Sequence, residues 1–265
     1  MRRAAIAGFL VSVMAVPLGY ARIGDPNTPN CRVRADDVNE VDLAIQNLQD
    51  KAAGLRSYQA RVDYITKQPL LESQARRWGV LHYAKSESRS NLRIEFQTLQ
   101  QDEEPEQRYV EQFLFDGVWL VIVNHQTEHV ERRQLARENA PIDAFSLASK
   151  HMPVLGFSKM DDLRKQFDVT LVSEPNAPAD LQHLHLNVRP DSVYKEDYTQ
   201  IDFWVNRKIG LPAKIVAVTT EGDIHEIRLI DPKVNEGVDP RIFQGEVPRG
   251  FTVEEIRLER KPRQQ

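Results

Sequence analysis

From residue 58 onward this chain keeps returning to one pattern, the alternation of apolar and polar side chains. Tyr58, Ala60, Val62 and Tyr64 alternate with Gln59, Arg61 and Asp63, and Leu92, Ile94 and Phe96 alternate with Arg93, Glu95 and Gln97. A period of two marks a strand with one buried and one solvated face. Leu81 and Tyr83, after Gly79, read the same way. Phe113-Leu114-Phe115, then Asp116-Gly117, then Val118 to Val123 predict two strands joined by a two-residue hairpin. Both faces of Val118–Val123 are apolar, so that strand requires cover on both sides. Further strands are expected at 127–134, 168–173, 182–189, 199–206, 212–220 and 223–230. The expectation is eleven antiparallel strands, six before and five after a helical stretch. No fixed repeat length occurs, which excludes a propeller or a solenoid.

Two segments break the alternation. Val38, Val41, Ile45, Leu48, Ala52 and Leu55 recur at helical spacing, which predicts an amphipathic helix from Asp37 to Leu55. Asp36 or Asp37 can cap it, Glu40 sits where a capping-box acid reaches back, and Gly54 marks its end. Residues 142–166 carry Phe145, Leu147, Met152, Leu155, Phe157, Met160 and Leu163, interrupted by Pro153 and Gly156, and predict one or two short helices. An antiparallel meander of this length can close into a barrel, fold into a sandwich, or curve as an open sheet with helices on its concave side. The two helical segments favour the last, an α+β half-barrel that is mainly β. Such a plugged sheet suits a hydrophobic ligand.

The first 21 residues differ from the rest. Arg2 and Arg3 precede a 15-residue apolar run, Ala4 to Leu18, and Gly19-Tyr20-Ala21 places small residues at −3 and −1 of a cleavage site. This is the pattern of a secretory signal peptide, and the run is shorter than the ~20 residues a spanning helix needs. An uncleaved anchor is the rival reading. Cleavage after Ala21 takes the net charge from −4 to −6, because it removes Arg2 and Arg3. Residues 22–36, with Pro26 and Pro29, read as a flexible tether. Cys31, the one cysteine, lies there, permits no intramolecular disulfide and reads as an exposed thiol. The expected organisation is signal peptide 1–21, tether 22–36, one domain over 37–258, and a basic tail over 259–265.

Composition adds exclusions. With 35 basic against 39 acidic residues there is no cationic excess to bind nucleic acid. No Ser/His/Asp or Cys/His constellation and no Gly-rich phosphate loop stands out, so no enzyme activity, catalytic residue or cofactor is expected. His183 and His185 alternate with Leu184 and Leu186; with His125 or His129 they could hold a metal, but they read first as the solvated side of a strand. No metal is expected. Asp102-Glu103-Glu104-Pro105-Glu106 reads as a solvated loop, Asp161-Asp162 as surface charge, and Trp78, Trp119 and Trp204 as packing residues.

Several motifs, in order, resemble the LolA-like family of periplasmic lipoprotein carriers. They are Leu55-Arg56-Ser57-Tyr58-Gln59-Ala60, Gly79-Val80-Leu81-His82-Tyr83-Ala84-Lys85 and Asn91-Leu92-Arg93-Ile94-Glu95-Phe96. After them come Phe115-Asp116-Gly117, Leu184 to Pro190, Leu211-Pro212-Ala213-Lys214-Ile215, and a closing series of Asn235, Gly237, Phe243, Pro248, Gly250 and Val253. The resemblance covers about residues 37–258. It implies an eleven-stranded half-barrel with a helical lid, monomeric, exported to the periplasm, and binding acyl chains of a lipoprotein or lipid under the lid. The implied partners are the cargo, an inner-membrane transporter that donates it and an outer-membrane receptor that accepts it. Leu92, Ile94, Phe96, Phe113 and Phe115 are then the expected cavity wall, with plain core as the alternative, and Phe145, Leu147, Met152, Leu155 and Phe157 the lid. The family's lid latch is an arginine followed by proline; the matching pair here is Lys85-Ser86, which keeps the charge but loses the rigid fork of donors. A lipid-sensing envelope-stress regulator is a second reading on the same scaffold. Regulators of that kind carry a further domain, for which the residues after 258 are too few.

Overall fold

The computed structural model describes residues 35–86, 89–144, 163–173, 178–245 and 247–258. The signal segment, the tether up to residue 34 with Cys31, the lid residues Phe145, Leu147, Met152, Leu155 and Phe157, and the basic tail lie outside them; Ala35 and Asp36, expected to end the tether, begin the first helix. No helix among the described residues is long and apolar enough to cross a membrane.

The chain opens with helix α1 (Ala35–Ala53). It begins and ends two residues earlier than its apolar stripe suggests, and Leu55 is buried just beyond its end. Strands β1 (Ser57–Gln68), β2 (Ser73–Lys85), β3 (Ser90–Gln101), β4 (Gln107–Phe115), β5 (Trp119–Asn124) and β6 (His129–Gln134) follow. After a one-turn helix α2 (Leu163–Gln166) come β7 (Phe167–Val172), β8 (Leu181–Val188), β9 (Tyr198–Asn206), β10 (Leu211–Thr219) and β11 (Ile224–Val234), and finally β12 (Thr252–Ile256). All twelve form one sheet in the order β12-β6-β5-β4-β3-β2-β1-β11-β10-β9-β8-β7, open at β12 and β7.

The eleven expected strands are joined by a twelfth, and the sheet is mixed rather than wholly antiparallel. β12 pairs parallel to β6, Val253 opposite Val130 and Ile256 opposite Arg133. A parallel neighbour needs a long crossover, and residues 235–245 and 247–251 belong to it as a strap over one face. Asn235, at φ 58, pins its start: Oδ1 accepts from Arg56 N (2.7 Å) and Ser57 N (3.2 Å), and Nδ2 donates to Gly54 O (3.2 Å). Farther along, Arg93 Nη1 donates to Ile242 O (2.7 Å), and Phe251 packs edge-on against His125. The closing motif read from the sequence is this strap.

The connection from β4 to β5 is a two-residue hairpin shifted one residue along from the expected one: Asp116 N donates to Trp119 O (3.3 Å), so Gly117-Val118 rather than Asp116-Gly117 form the loop. Phe115 pairs with Leu120, so Asp116 to Trp119 form the turn. Asp116 Oδ1 accepts from Val118 N (2.9 Å) and Trp119 N (2.7 Å), and Gly117 takes φ 94. The Asp116 side chain thus takes the Trp119 N–H in place of its own carbonyl, an Asx-type bond inside the tight hairpin, and Val118 is fully buried in the loop rather than in the strand.

Pairing divides the side chains into two faces. One, here called inward, carries the main core: Val41, Ala44, Ile45 and Leu48 of α1 cluster with Val62, Leu81, Phe96, Leu184, Ile201, Phe203 and Ile215 of the sheet. The helix packs on β7 and β10. The outward face holds a second, smaller cluster of Leu114, Val123 and Val130, with Val121 and Phe251 against it. The expectation that the β5 strand is covered on both sides holds in part: Val121 and Val123 meet the strap, while Leu120 packs only half-buried against the inward core.

Candidate functional site

The five residues expected to line a cavity come together on the inward face. Leu92 pairs with Phe115 and Ile94 with Phe113, and residues directly opposite each other in a ladder share a face. Ile94, Phe96 and Phe115 are buried; Leu92 and Phe113 are half-buried against the same cluster. The wall extends into neighbouring strands. Tyr83 faces Leu92 and Leu81 faces Ile94 on β2, and Leu120 faces Phe115 on β5. An aromatic line crosses it: Tyr64 stacks on Phe96 (centroids 6.0 Å apart), and Phe96 meets Phe113 edge-on (6.2 Å).

Gly79 makes that line sterically possible. It stands opposite Val62 on β1 and Phe96 on β3, at a register shift. A Cβ there would lie 2.1 Å from Glu95 O and 2.9 Å from Phe96 Cα. The Gly79 motif noted in the sequence thus marks a close backbone approach.

The apolar wall ends in polar groups. Past Phe96, β1 and β2 place Tyr64 opposite Arg77. Tyr64 Oη lies 2.8 Å from His225 Nδ1. Arg77 reaches across to β4, its guanidinium 5.5 Å from the Tyr109 ring centroid. Glu111 faces Asn124, whose Nδ2 donates to Tyr109 Oη (3.2 Å) and to Glu111 Oε1 (3.5 Å). Burial pushes the Glu111 carboxyl up, opposed by Arg77 and the Asn124 bond. Burial likewise pushes His225 down, so it stays neutral next to Tyr64. No motif announced this belt; the only trace in the sequence is a polar residue where the alternation of β2 and β4 calls for an apolar one.

At the opposite end, Lys85 closes β2. Its backbone N donates to Arg56 O (2.8 Å) and its side chain is exposed, with no hydrogen bond or ion pair among the described residues. Its ladder partner Ser90 is buried, and Ser90 Oγ accepts from Ala144 N (2.7 Å). Ser90 thus holds the chain immediately before residue 145, a role the sequence did not reveal.

The outward face is ionic. Asp63, almost wholly buried, takes both Nε (2.8 Å) and Nη2 (2.9 Å) of Arg76, and Arg228 bridges it to Glu226. His183 Nε2 and His185 Nδ1 both meet Asp202 Oδ1 (2.7 and 2.8 Å). These histidines are half-buried and hydrogen-bonded, not simply solvated. His125 lies on the far half of the sheet against Phe251, and His129 pairs with Glu254. Among the described residues no three His, Cys, Asp or Glu side chains form a metal-binding group. The tryptophans also sit on this face, under cations rather than in the core: Arg76 over Trp78 (4.3 Å), Arg132 over Trp119 (5.1 Å) and Lys214 over Trp204 (3.8 Å). The acidic loop 102–106 is fully exposed, as expected.

No protein-family model matches the chain, and no curated protein matches it. Solved structures do. The chain is similar to a LolA superfamily protein from Nitrosomonas europaea, at 16% identity over 76% of this chain and 97% of that one, with a TM-score of 0.32. It is similar to the Mycobacterium tuberculosis lipoprotein LppX, at 14% identity over 76% and 98%, with a TM-score of 0.44. It is also similar to a chain of the Pseudomonas aeruginosa MucA/MucB complex, at 15% identity over 78% of this chain, with a TM-score of 0.42; it spans 61% of that chain's length.

Proposed function

We propose that this protein is an exported carrier that binds acyl chains of a lipoprotein or lipid on its inward face and ferries them across the periplasm. The observation that carries this reading is the width of the apolar inward face relative to its helix. α1 packs on β7 and β10, whereas Leu92, Phe113 and Leu120, on β3 to β5, remain half-buried. Burying an alkyl chain against such a surface yields about 0.8 kcal/mol per methylene. Release then needs a better acceptor rather than covalent chemistry, which accords with a donor transporter and an acceptor receptor. The order of motifs resembling the LolA-like carriers supports the same reading. In it, Leu92, Ile94, Phe96, Phe113 and Phe115 form the wall, residues 145–157 the lid, and Lys85 the lid latch.

The test is native mass spectrometry of protein purified from its own periplasm, together with titration of the purified protein with an uncharged apolar fluorophore. Co-purified lipid or lipoprotein and saturable fluorophore binding are expected. A ligand-free mass combined with no saturable binding overturns the carrier.

A further inference from the structure

The polar belt at the end of the inward wall has a composition that packing alone does not explain. Six polar side chains, Tyr64, Arg77, Tyr109, Glu111, Asn124 and His225, converge from β1, β2, β4, β5 and β11 on the face that is otherwise core. Buried polar groups are ordinarily satisfied, and a cationic fork left without partners is costly. Here Arg77 Nε is buried and finds no hydrogen-bond partner among the described residues. Glu111 is half-buried, and among the described residues its one side-chain hydrogen bond is the 3.5 Å contact from Asn124. Arg77 and Glu111 feel each other's charge, yet no ion pair joins them. The donor lies over the Tyr109 ring and the acceptor shares Asn124 with the Tyr109 hydroxyl, so both stand beside Tyr109, each with bonding capacity to spare, where the aromatic line Phe113–Phe96–Tyr64 ends.

We propose that this belt is a headgroup site for an uncharged polar group that both donates and accepts hydrogen bonds, Arg77 donating to it and Glu111 accepting from it, while the attached alkyl chain lies along Phe96 and Phe113. An acyl amide and sugar hydroxyls share this chemistry. An anionic headgroup would meet Arg77 but be repelled by Glu111, and a cationic one the reverse. The proposal rests on the carrier reading, because it assigns the polar end of the same ligand.

The experiment is displacement of N-phenyl-1-naphthylamine, an uncharged apolar fluorophore, by four amphiphiles with the same ten-carbon chain, each below its micellar concentration: decyl maltoside, N-decylacetamide, decanoate and decyltrimethylammonium. The maltoside or the acetamide should displace the fluorophore at concentrations about tenfold lower than either charged amphiphile, since each headgroup bond to a buried charge contributes on that scale. Which of the two leads distinguishes a sugar from an amide. Arg77→Met, which keeps the apolar stem, and Glu111→Gln, which keeps the shape, should each erase that tenfold preference and leave the fluorophore's own Kd within about twofold. Should Arg77→Met fail to fold, the near-isosteric Glu111→Gln carries the test alone. Equal displacement by all four, preference for a charged amphiphile, or an unaltered order in a folded Glu111→Gln variant overturns the headgroup site while the carrier reading stands. Failure of the fluorophore to bind the wild type overturns the headgroup site, and together with a ligand-free mass it overturns the carrier reading as well.

Discussion

Gly79→Ala should damage this protein far more than its one added methyl group suggests. The new Cβ would stand 2.1 Å from Glu95 O and 2.9 Å from Phe96 Cα, where ordinary contact begins at 3.4 Å. Both obstacles are backbone, so no side chain can swing away, and β2 and β3 must part by roughly 1 Å. Overpacking of that kind costs about 1–3 kcal/mol, and the neighbouring ladder hydrogen bonds add about 1 kcal/mol each if lost. A total near 3 kcal/mol lowers Tm by about 6–12 °C in a domain of this size. The shift also moves Phe96 relative to Tyr64, so fluorophore affinity should fall in parallel. Gly222→Ala is the control: its φ is 89 and a Cβ there meets nothing within 4 Å, so only left-handed strain of about 1–2 kcal/mol applies. Calorimetric melting of both variants decides the matter. A Tm loss for Gly79→Ala no larger than that of Gly222→Ala refutes the close-approach argument.

Other perturbations probe the site from different sides. Ile94→Glu should abolish fluorophore binding with a modest Tm loss if the wall faces a cavity that can admit water. A simultaneous collapse of both rejects the cavity wall in favour of close-packed core, where an unpaired buried charge costs several kcal/mol. Ser90→Ala leaves Ala144 N without its acceptor, at a cost of about 1–3 kcal/mol; hydrogen exchange at Ala144 should speed up, and unchanged protection there would reject the anchoring role. His225 is held neutral by burial, its pKa below the 6.5 expected of the unfolded chain, so it takes up protons more readily unfolded. Stability is full above about pH 6.5 and declines as pH falls below it, by up to about 1.4 kcal/mol per unit until the folded group titrates. His225→Gln should flatten that part of the Tm–pH curve, and an unchanged slope would show that His225 does not contribute.

The strands were legible because a half-buried sheet writes its faces into the sequence as alternation, and β1, β3 and β8 carry that signal plainly. β12 does not: all five residues from Thr252 to Ile256 are exposed, so no buried face imposes a period. Only its pairing with β6 makes it a strand, and pairing leaves no local trace. Asp116-Gly117 marked the hairpin but set its loop one residue early, because the Asp116 side chain takes the Trp119 N–H and leaves Asp116 as the last rung. The tryptophans read as packing residues; Arg76 over Trp78 sits two residues away on the same strand, whereas Arg132 over Trp119 and Lys214 over Trp204 come from neighbouring strands whose register the sequence does not state. That Leu92, Ile94, Phe96, Phe113 and Phe115 share one face was legible from β3 and β4 alone. The polar belt was not, because Tyr64, Arg77, Glu111 and His225 are spread over more than 160 residues and meet only once five strands are in register.

That register is held from the other side of the sheet. Adjacent residues in a strand point to opposite faces, and at this end of the sheet the pairs Asp63–Tyr64, Arg76–Arg77 and His225–Glu226 each contribute one residue to either face. The outward members form the ion cluster: Arg76 grips buried Asp63 with two bonds, and Arg228 joins Asp63 to Glu226. The inward members form the belt. A slip of one residue in β1 against β2 would exchange the two sets, placing Tyr64 among the charges and the Asp63 carboxylate in the core. The bidentate Asp63–Arg76 pair resists that slip, because it ties β1 to β2 diagonally across the Tyr64–Arg77 rung, whose side chains lie on the inward face. A buried ion pair is a weak source of net stability. Here its physical consequence is positional: it fixes which side chains of β1, β2 and β11 border the apolar inward face, and so at which end of that face the proposed headgroup site lies.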